Sequence, residues 1–220
     1  MKSRGFLFVV FSMCIMFTHA QTAPPFWNDI LRFKKLDSMQ PPPANAILLT
    51  GSSSFTRWTD VNNYFPGYTI INRAFGGSTL PDVIRYAYDA IIPYKPKQVL
   101  IYCGENDLAS ADSISAAEVL KRVQTLFSII RINLPGTTIT YVSIKPSPVR
   151  AGIQIKVKAA NELIKAFFSK QANASFIDIY RDMLDANGNM REEIFVGDRL
   201  HMNATGYAIW QRKIKPYLKK

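Results

Sequence analysis

The 220-residue sequence contains two histidines, His19 and His201. His19 falls in an apolar opening stretch, so histidine chemistry in the remainder of the chain rests on His201. It stands in Gly197-Asp198-Arg199-Leu200-His201-Met202-Asn203, three residues after a carboxylate. In a turn, that spacing brings Asp198 onto the ring Nδ1 and leaves Nε2 facing outward. A serine hydroxyl is a weak nucleophile until such a base takes its proton. Ser52, Ser53 and Ser54 follow Thr50-Gly51, and spacing alone does not choose among them. Donors for a developing negative charge are offered by the glycines of Asn72-Arg73-Ala74-Phe75-Gly76-Gly77 and by the amide of Gly104-Glu105-Asn106-Asp107. Blander readings exist for each: a lone histidine before a helix packs or caps, and a serine run forms a turn.

Such residues need a scaffold that gathers them. Short β-prone runs are expected as strands at Ala46–Thr50, Thr69–Asn72, Gln98–Cys103, Thr138–Ile144 and Ser175–Tyr180. Helix-period segments lie between them. One has Val119, Val123, Leu126 and Ile130 on a single face behind a Ser115/Glu118 capping box. Another has Ile153, Val157, Ala160, Ile164 and Phe167. A helix starts near Pro81 and Asp82, and the last runs from about Asn203 with Tyr207, Trp210 and Ile214 inward. Strands alternating with helices imply a parallel sheet covered on both faces, whose sites form at the carboxyl ends of the strands. The serine run, the glycine stretch and the Asn106 stretch all stand at such ends.

Four blocks in this order resemble the SGNH (GDSL-type) hydrolases. Ile47-Leu48-Leu49-Thr50-Gly51-Ser52-Ser53-Ser54 is similar to the family's first block, usually Gly-Asp-Ser, and Asn72 to Gly77 is similar to its glycine block. Gly104-Glu105-Asn106-Asp107 matches Gly-x-Asn-Asp, and Asp198-Arg199-Leu200-His201 matches Asp-x-x-His. The resemblance implies Ser53 as nucleophile, His201 as base and Asp198 as its orienting acid. It implies the backbone N–H groups of Ser53 and Gly77 and the Asn106 amide as oxyanion donors. Gly77, not Gly76, is the expected donor because the family's glycine precedes a polar residue, here Ser78. The implied fold is α/β, a three-layer αβα, flavodoxin-like arrangement with a five-stranded parallel sheet. Ser52 departs from the family's usual aspartate, which puts loop packing in question more than catalysis.

The first twenty residues read as a signal peptide. Lys2 and Arg4 precede an apolar run from Phe6 to Phe17, and Thr18-His19-Ala20 offers a cleavage point before Gln21. The run is short for a membrane anchor, and Phe11-Ser12-Met13 before Cys14 lacks the small residues of a lipoprotein signal. Residues 21–45 form a proline-rich lead-in, and 46–220 the esterase domain. After cleavage Cys103 is the one remaining cysteine, so no intramolecular disulfide is expected. Removing Lys2 and Arg4 lowers the net charge by two, from +11 to +9. The bases are scattered apart from a cluster between Lys213 and Lys220, and no nucleic-acid motif accompanies them. No metal or cofactor is expected, since one histidine and one cysteine make no ligand set. Glu105 and Asp107 raise a paired-carboxylate glycosidase reading, but no second pair supports it. Asp185-Ala186-Asn187-Gly188 reads as a turn, not a calcium loop.

The expected activity is cleavage of a carboxylic ester through an acyl-serine intermediate, in an exported, periplasmic or secreted protein. Acetyl groups on a carbohydrate are the favoured substrate among small-molecule and carbohydrate esters. Two rival readings keep the fold: a non-catalytic carbohydrate-binding protein, and an acyltransferase to an envelope sugar.

Overall fold

The computed structural model describes residues 23–220. The expected leader and Cys14 lie outside the described residues. Five strands, β1 (Ile47–Gly51), β2 (Ile70–Asn72), β3 (Gln98–Tyr102), β4 (Thr138–Val142) and β5 (Ala174–Ile177), form one sheet in the order β2-β1-β3-β4-β5. Every neighbouring pair is parallel. The helices are α1 (Trp27–Met39), α2 (Ser53–Thr56), α3 (Val61–Tyr64), α4 (Leu80–Arg85), α5 (Ala87–Ala90), α6 (Glu105–Ser110), α7 (Ala116–Asn133), α8 (Gln154–Phe168) and α9 (Ala204–Ile214). The fold is a three-layer, flavodoxin-like α/β arrangement.

Alternation along the strands creates the two cores, because successive side chains leave opposite faces. Leu48, Val99, Ile101, Ile139 and Tyr141 face one side and pack with α1, α4, α5, α7 and α8. Ile47, Leu49, Leu100, Tyr102, Val142 and Ile177 face the other, against Phe55, Trp58, Tyr207 and Trp210. Both faces being covered, every residue of β1, β3 and β4 is buried.

Helix α7 buries Val119, Val123, Leu126, Phe127 and Ile130, with Ser115 accepting from the Glu118 N–H. Only half of the expected capping box forms there, since the Glu118 carboxylate pairs with Arg122 instead. Asp82 makes the reciprocal contact at α4, accepting from the Thr79 backbone N–H at 2.9 Å and from its hydroxyl at 2.6 Å. In α8 Phe168 is fully buried, and Phe167, one residue before it, is partly buried against the same core. α1 lies on the surface of the domain, yet Ile30 and Phe33 enter the same core as the sheet.

The ladders are shorter than expected at their carboxyl ends, stopping at Tyr102, Val142 and Ile177. Beyond these points the chain turns into the loops that carry the site. Asn161 of α8 holds one such loop, accepting from the Ile144 N–H and donating to the Ile144 carbonyl, each at 2.8 Å.

Candidate active site

β1 ends at Gly51, whose φ of +121° belongs to glycine. A Cβ there would stand 1.9 Å from the Tyr102 carbonyl oxygen, so no larger residue fits beside β3. The Ser52 N–H donates to that same oxygen, and Ser53 opens α2. Ser52 and Ser54 are buried, whereas Ser53 is partly exposed. The first N–H groups of a helix have no intrahelical acceptor, which leaves the Ser53 N–H available beside its own hydroxyl.

The loop between residues 195 and 203 presents His201. Asp198 Oδ1 accepts from the Leu200 N–H at 2.9 Å and the His201 N–H at 2.8 Å, closing a tight turn. Its Oδ2 lies 2.6 Å from His201 Nδ1, and His201 Nε2 lies 2.8 Å from Ser53 Oγ. The structure thus brings together Ser53, His201 and Asp198, residues separated by up to 148 positions. Partial burial pushes the Asp198 carboxyl up, but donation from the His201 and Leu200 N–H groups and the adjacent ring outweighs it. Asp198 is held well below the usual carboxylate range. Arg57 adds a cation 3.7 Å from Oδ2, with both side chains about half exposed.

Gly76 and Gly77 are exposed, and Gly77 has a φ of +86°. A Cβ on Gly76 would meet the Ser53 Cβ at 3.8 Å, so this loop lies directly over the serine. The Ser78 hydroxyl ties it down by donating to the Gly51 carbonyl at 3.0 Å. Asn106 projects from the first turn of α6, behind Gly104 with its φ of +113°. Its Nδ2 donates to Ser52 Oγ at 2.8 Å and to the Ser78 carbonyl at 3.0 Å. Ser52, expected to matter for loop packing, therefore touches the amide as well.

Sequence reasoning missed the cluster behind Asn106. Lys145 Nζ lies 2.6 Å from Glu105 Oε2 and also donates to Ser147, and the Ser147 hydroxyl donates to Glu105 Oε1. The Tyr102 hydroxyl donates to Glu105 at 2.8 Å. Burial alone would push the Glu105 carboxyl up, but the Lys145 and Arg150 cations hold it below the usual range. Asp107 accepts from the Leu80 N–H and from Arg122. Both carboxylates flanking Asn106 are thus engaged in holding strand-end loops together. The run Lys145-Pro146-Ser147-Pro148 is polar and follows β4, and the strand-end rule applied to it was the available signal.

Cys103 is buried, and burial pushes its thiol well up. Among the described residues no three of His, Cys, Asp and Glu are grouped to hold a metal ion, and no helix is long and apolar enough to cross a membrane. Asp185 accepts from the N–H groups of Asn187 and Asn189, forming a turn.

A parallel sheet with serine, histidine and carboxylate gathered at its carboxyl edge defines a class of ester hydrolases. The model of the GDSL-like Lipase/Acylhydrolase family matches residues 43–209, and the chain belongs to that family, within the SGNH superfamily. By that membership it is an ester-bond hydrolase. No curated protein sequence matches it significantly. Among solved structures it is similar to a Streptococcus pneumonia protein provisionally designated a platelet activating factor (20% identity, 87% of this chain and 92% of that one, TM-score 0.76). It is also similar to a GDSL-like lipase from Bacteroides thetaiotaomicron (18%, 86% and 96%, TM-score 0.73). A third is an acetylxylan esterase from Geobacillus stearothermophilus (14%, 79% and 94%, TM-score 0.62). At these identities the likenesses establish a shared fold.

Proposed function

We propose that this hydrolase is an exported serine esterase in which Ser53 attacks the ester carbonyl. His201 Nε2 takes the Ser53 proton as the Oγ–carbon bond forms, then gives it to the alcohol oxygen as the carbon–oxygen bond breaks. Water, deprotonated by the same nitrogen, attacks the acyl-Ser53 carbonyl, and as the carbon–Oγ bond breaks that proton passes to Ser53 Oγ and the acid is released. Asp198 holds the ring in the tautomer that leaves Nε2 free to accept. The oxyanion is received by the N–H groups of Ser53 and Gly77 and by the Asn106 amide, which exchanges its Ser52 contact for the charged oxygen. The observation that carries the reading is the unbroken line from Ser53 Oγ through His201 to Asp198, at 2.8 and 2.6 Å.

The substrate class we favour is an acetylated carbohydrate, supported by the leader pattern in residues 1–20 and by the shared fold with an acetylxylan esterase. The test is a hydrolysis panel on the mature protein, from acetyl to long-chain aryl esters with acetylated polysaccharide included. Ser53→Ala should abolish turnover and labelling by a serine-directed phosphonate, while Ser52→Ala and Ser54→Ala still label. An adduct on Ser52 or Ser54 overturns the assignment. Acyl groups appearing on an added acceptor sugar point to transfer, and sugar binding without turnover points to a binding protein. Intact mass of the exported product should place Gln21 at its amino terminus.

A further inference from the structure

Arg150 lies on the turn from Pro148 to Ile153, between β4 and α8. One guanidinium nitrogen donates to Asn106 Oδ1 at 2.8 Å, and the other stands 3.4 Å from Glu105 Oε1. Glu105 is in turn fixed by Lys145, Ser147 and Tyr102, all buried. The turn is also tied to the His201 loop, because the Val149 N–H donates to the Arg199 carbonyl at 3.2 Å. Arg150 therefore bridges the buried cluster and Asn106.

A carboxamide is nearly the same shape either way round, so its neighbours decide which end faces where. With Oδ1 outward toward the reaction, Asn106 would set an acceptor against the developing oxyanion. The guanidinium has donors only and takes the carbonyl end of the amide, while the acceptor-only Ser78 carbonyl takes Nδ2 at the other end, beside Ser52, so the two hold the same orientation from opposite sides. Its positive charge also polarises the amide from the carbonyl end, 2.8 Å from Oδ1.

We infer that Arg150 is a positioning residue of the hydrolysis, acting through Asn106 by fixing the direction of its amide and strengthening its donation to the oxyanion. The inference rests on the Ser53 reading above. Since Arg150 acts on a donor used in the transition state, its loss should fall on kcat and leave KM nearly alone.

The test is a mutant cycle on a small neutral aryl acetate, with parent, Arg150→Ala, Asn106→Ala, the double variant and Ser53→Ala. Arg150→Ala should lower kcat by roughly 10- to 100-fold, less than loss of an oxyanion donor outright, with KM within about threefold. In the Asn106→Ala background the same change should cost less than about threefold, because the partner is already gone. Equal losses in both backgrounds, or a loss confined to KM, overturn the inference. Should Arg150→Ala fail to fold, Arg150→Met enters the same cycle, since it keeps the length of the side chain while removing the charge and the donors. Parental turnover in Ser53→Ala overturns the nucleophile assignment itself, whereas an inactive Ser53→Ala with additive losses sinks only the role of Arg150.

Discussion

The two halves of the site are built in opposite ways. The His201 loop is local: Asp198 reaches its ring and two backbone N–H groups within three residues, and its side chain is 40% exposed. The Asn106 half is assembled from distant segments, with contacts spanning 54 residues to Ser52 and 40 residues from Glu105 to Lys145. Its charges are buried, Lys145 being 1% exposed at the side chain. Water buffers the first half against loss of a partner. In the second, an unpaired charge has no solvent to turn to, and its imbalance falls on the fold.

This contrast predicts that changes in the His201 loop reach turnover without reaching stability. Asp198→Asn should lower kcat by about 10³- to 10⁴-fold, because the amide stabilises the wrong ring tautomer. Thermal unfolding should shift little, and a large drop in melting temperature would show that the loop is not self-contained.

The buried half should behave in reverse. Lys145→Met leaves the Glu105 carboxylate with Arg150, at 3.4 Å, as its remaining cation and should destabilise the protein by about 3–5 kcal/mol in urea unfolding. In the parent, Glu105 titrates below its unfolded value of about 4.3, so its stabilising share is present above that pH and is lost on acidification through the folded value. In Lys145→Met the buried carboxyl should titrate above its unfolded value. Its share is then present in acid and lost as pH rises, so the variant should recover stability relative to the parent as pH is lowered from 8 toward 5. A pH-independent difference would remove Glu105 as the cause.

A smaller effect is expected where the local half joins the last helix. Asn203 Oδ1 accepts from the Thr205 N–H at 2.9 Å and the Gly206 N–H at 3.2 Å, capping α9. Asn203→Ala should cost about 1 kcal/mol of stability, the usual worth of such a cap. Loss of turnover well beyond the folded fraction would mean that the cap also sets the position of His201.

The least change is expected at Ser52, which bridges the halves through its contact with Asn106. Ser52→Ala removes one neutral acceptor and should alter kcat by less than about tenfold, within the worth of one ordinary hydrogen bond. A larger loss would make Ser52 part of the oxyanion machinery.

Strand-and-helix alternation was legible because apolar periodicity is local: Val119, Val123, Leu126 and Ile130 are buried on α7, and Tyr207, Trp210 and Ile214 face inward on α9. The Asp198 to His201 contact was legible for the same reason, three residues being one turn of chain. Spacing did not distinguish the three serines; packing does, by burying Ser52 and Ser54 and setting the Ser53 hydroxyl 2.8 Å from His201 Nε2. Nor does any periodicity mark Asn161, Lys145, Ser147 or Arg150. Their partners are set by where α8 and β4 dock on the sheet, and charge pairing across such distances exists only once burial has closed the space between them.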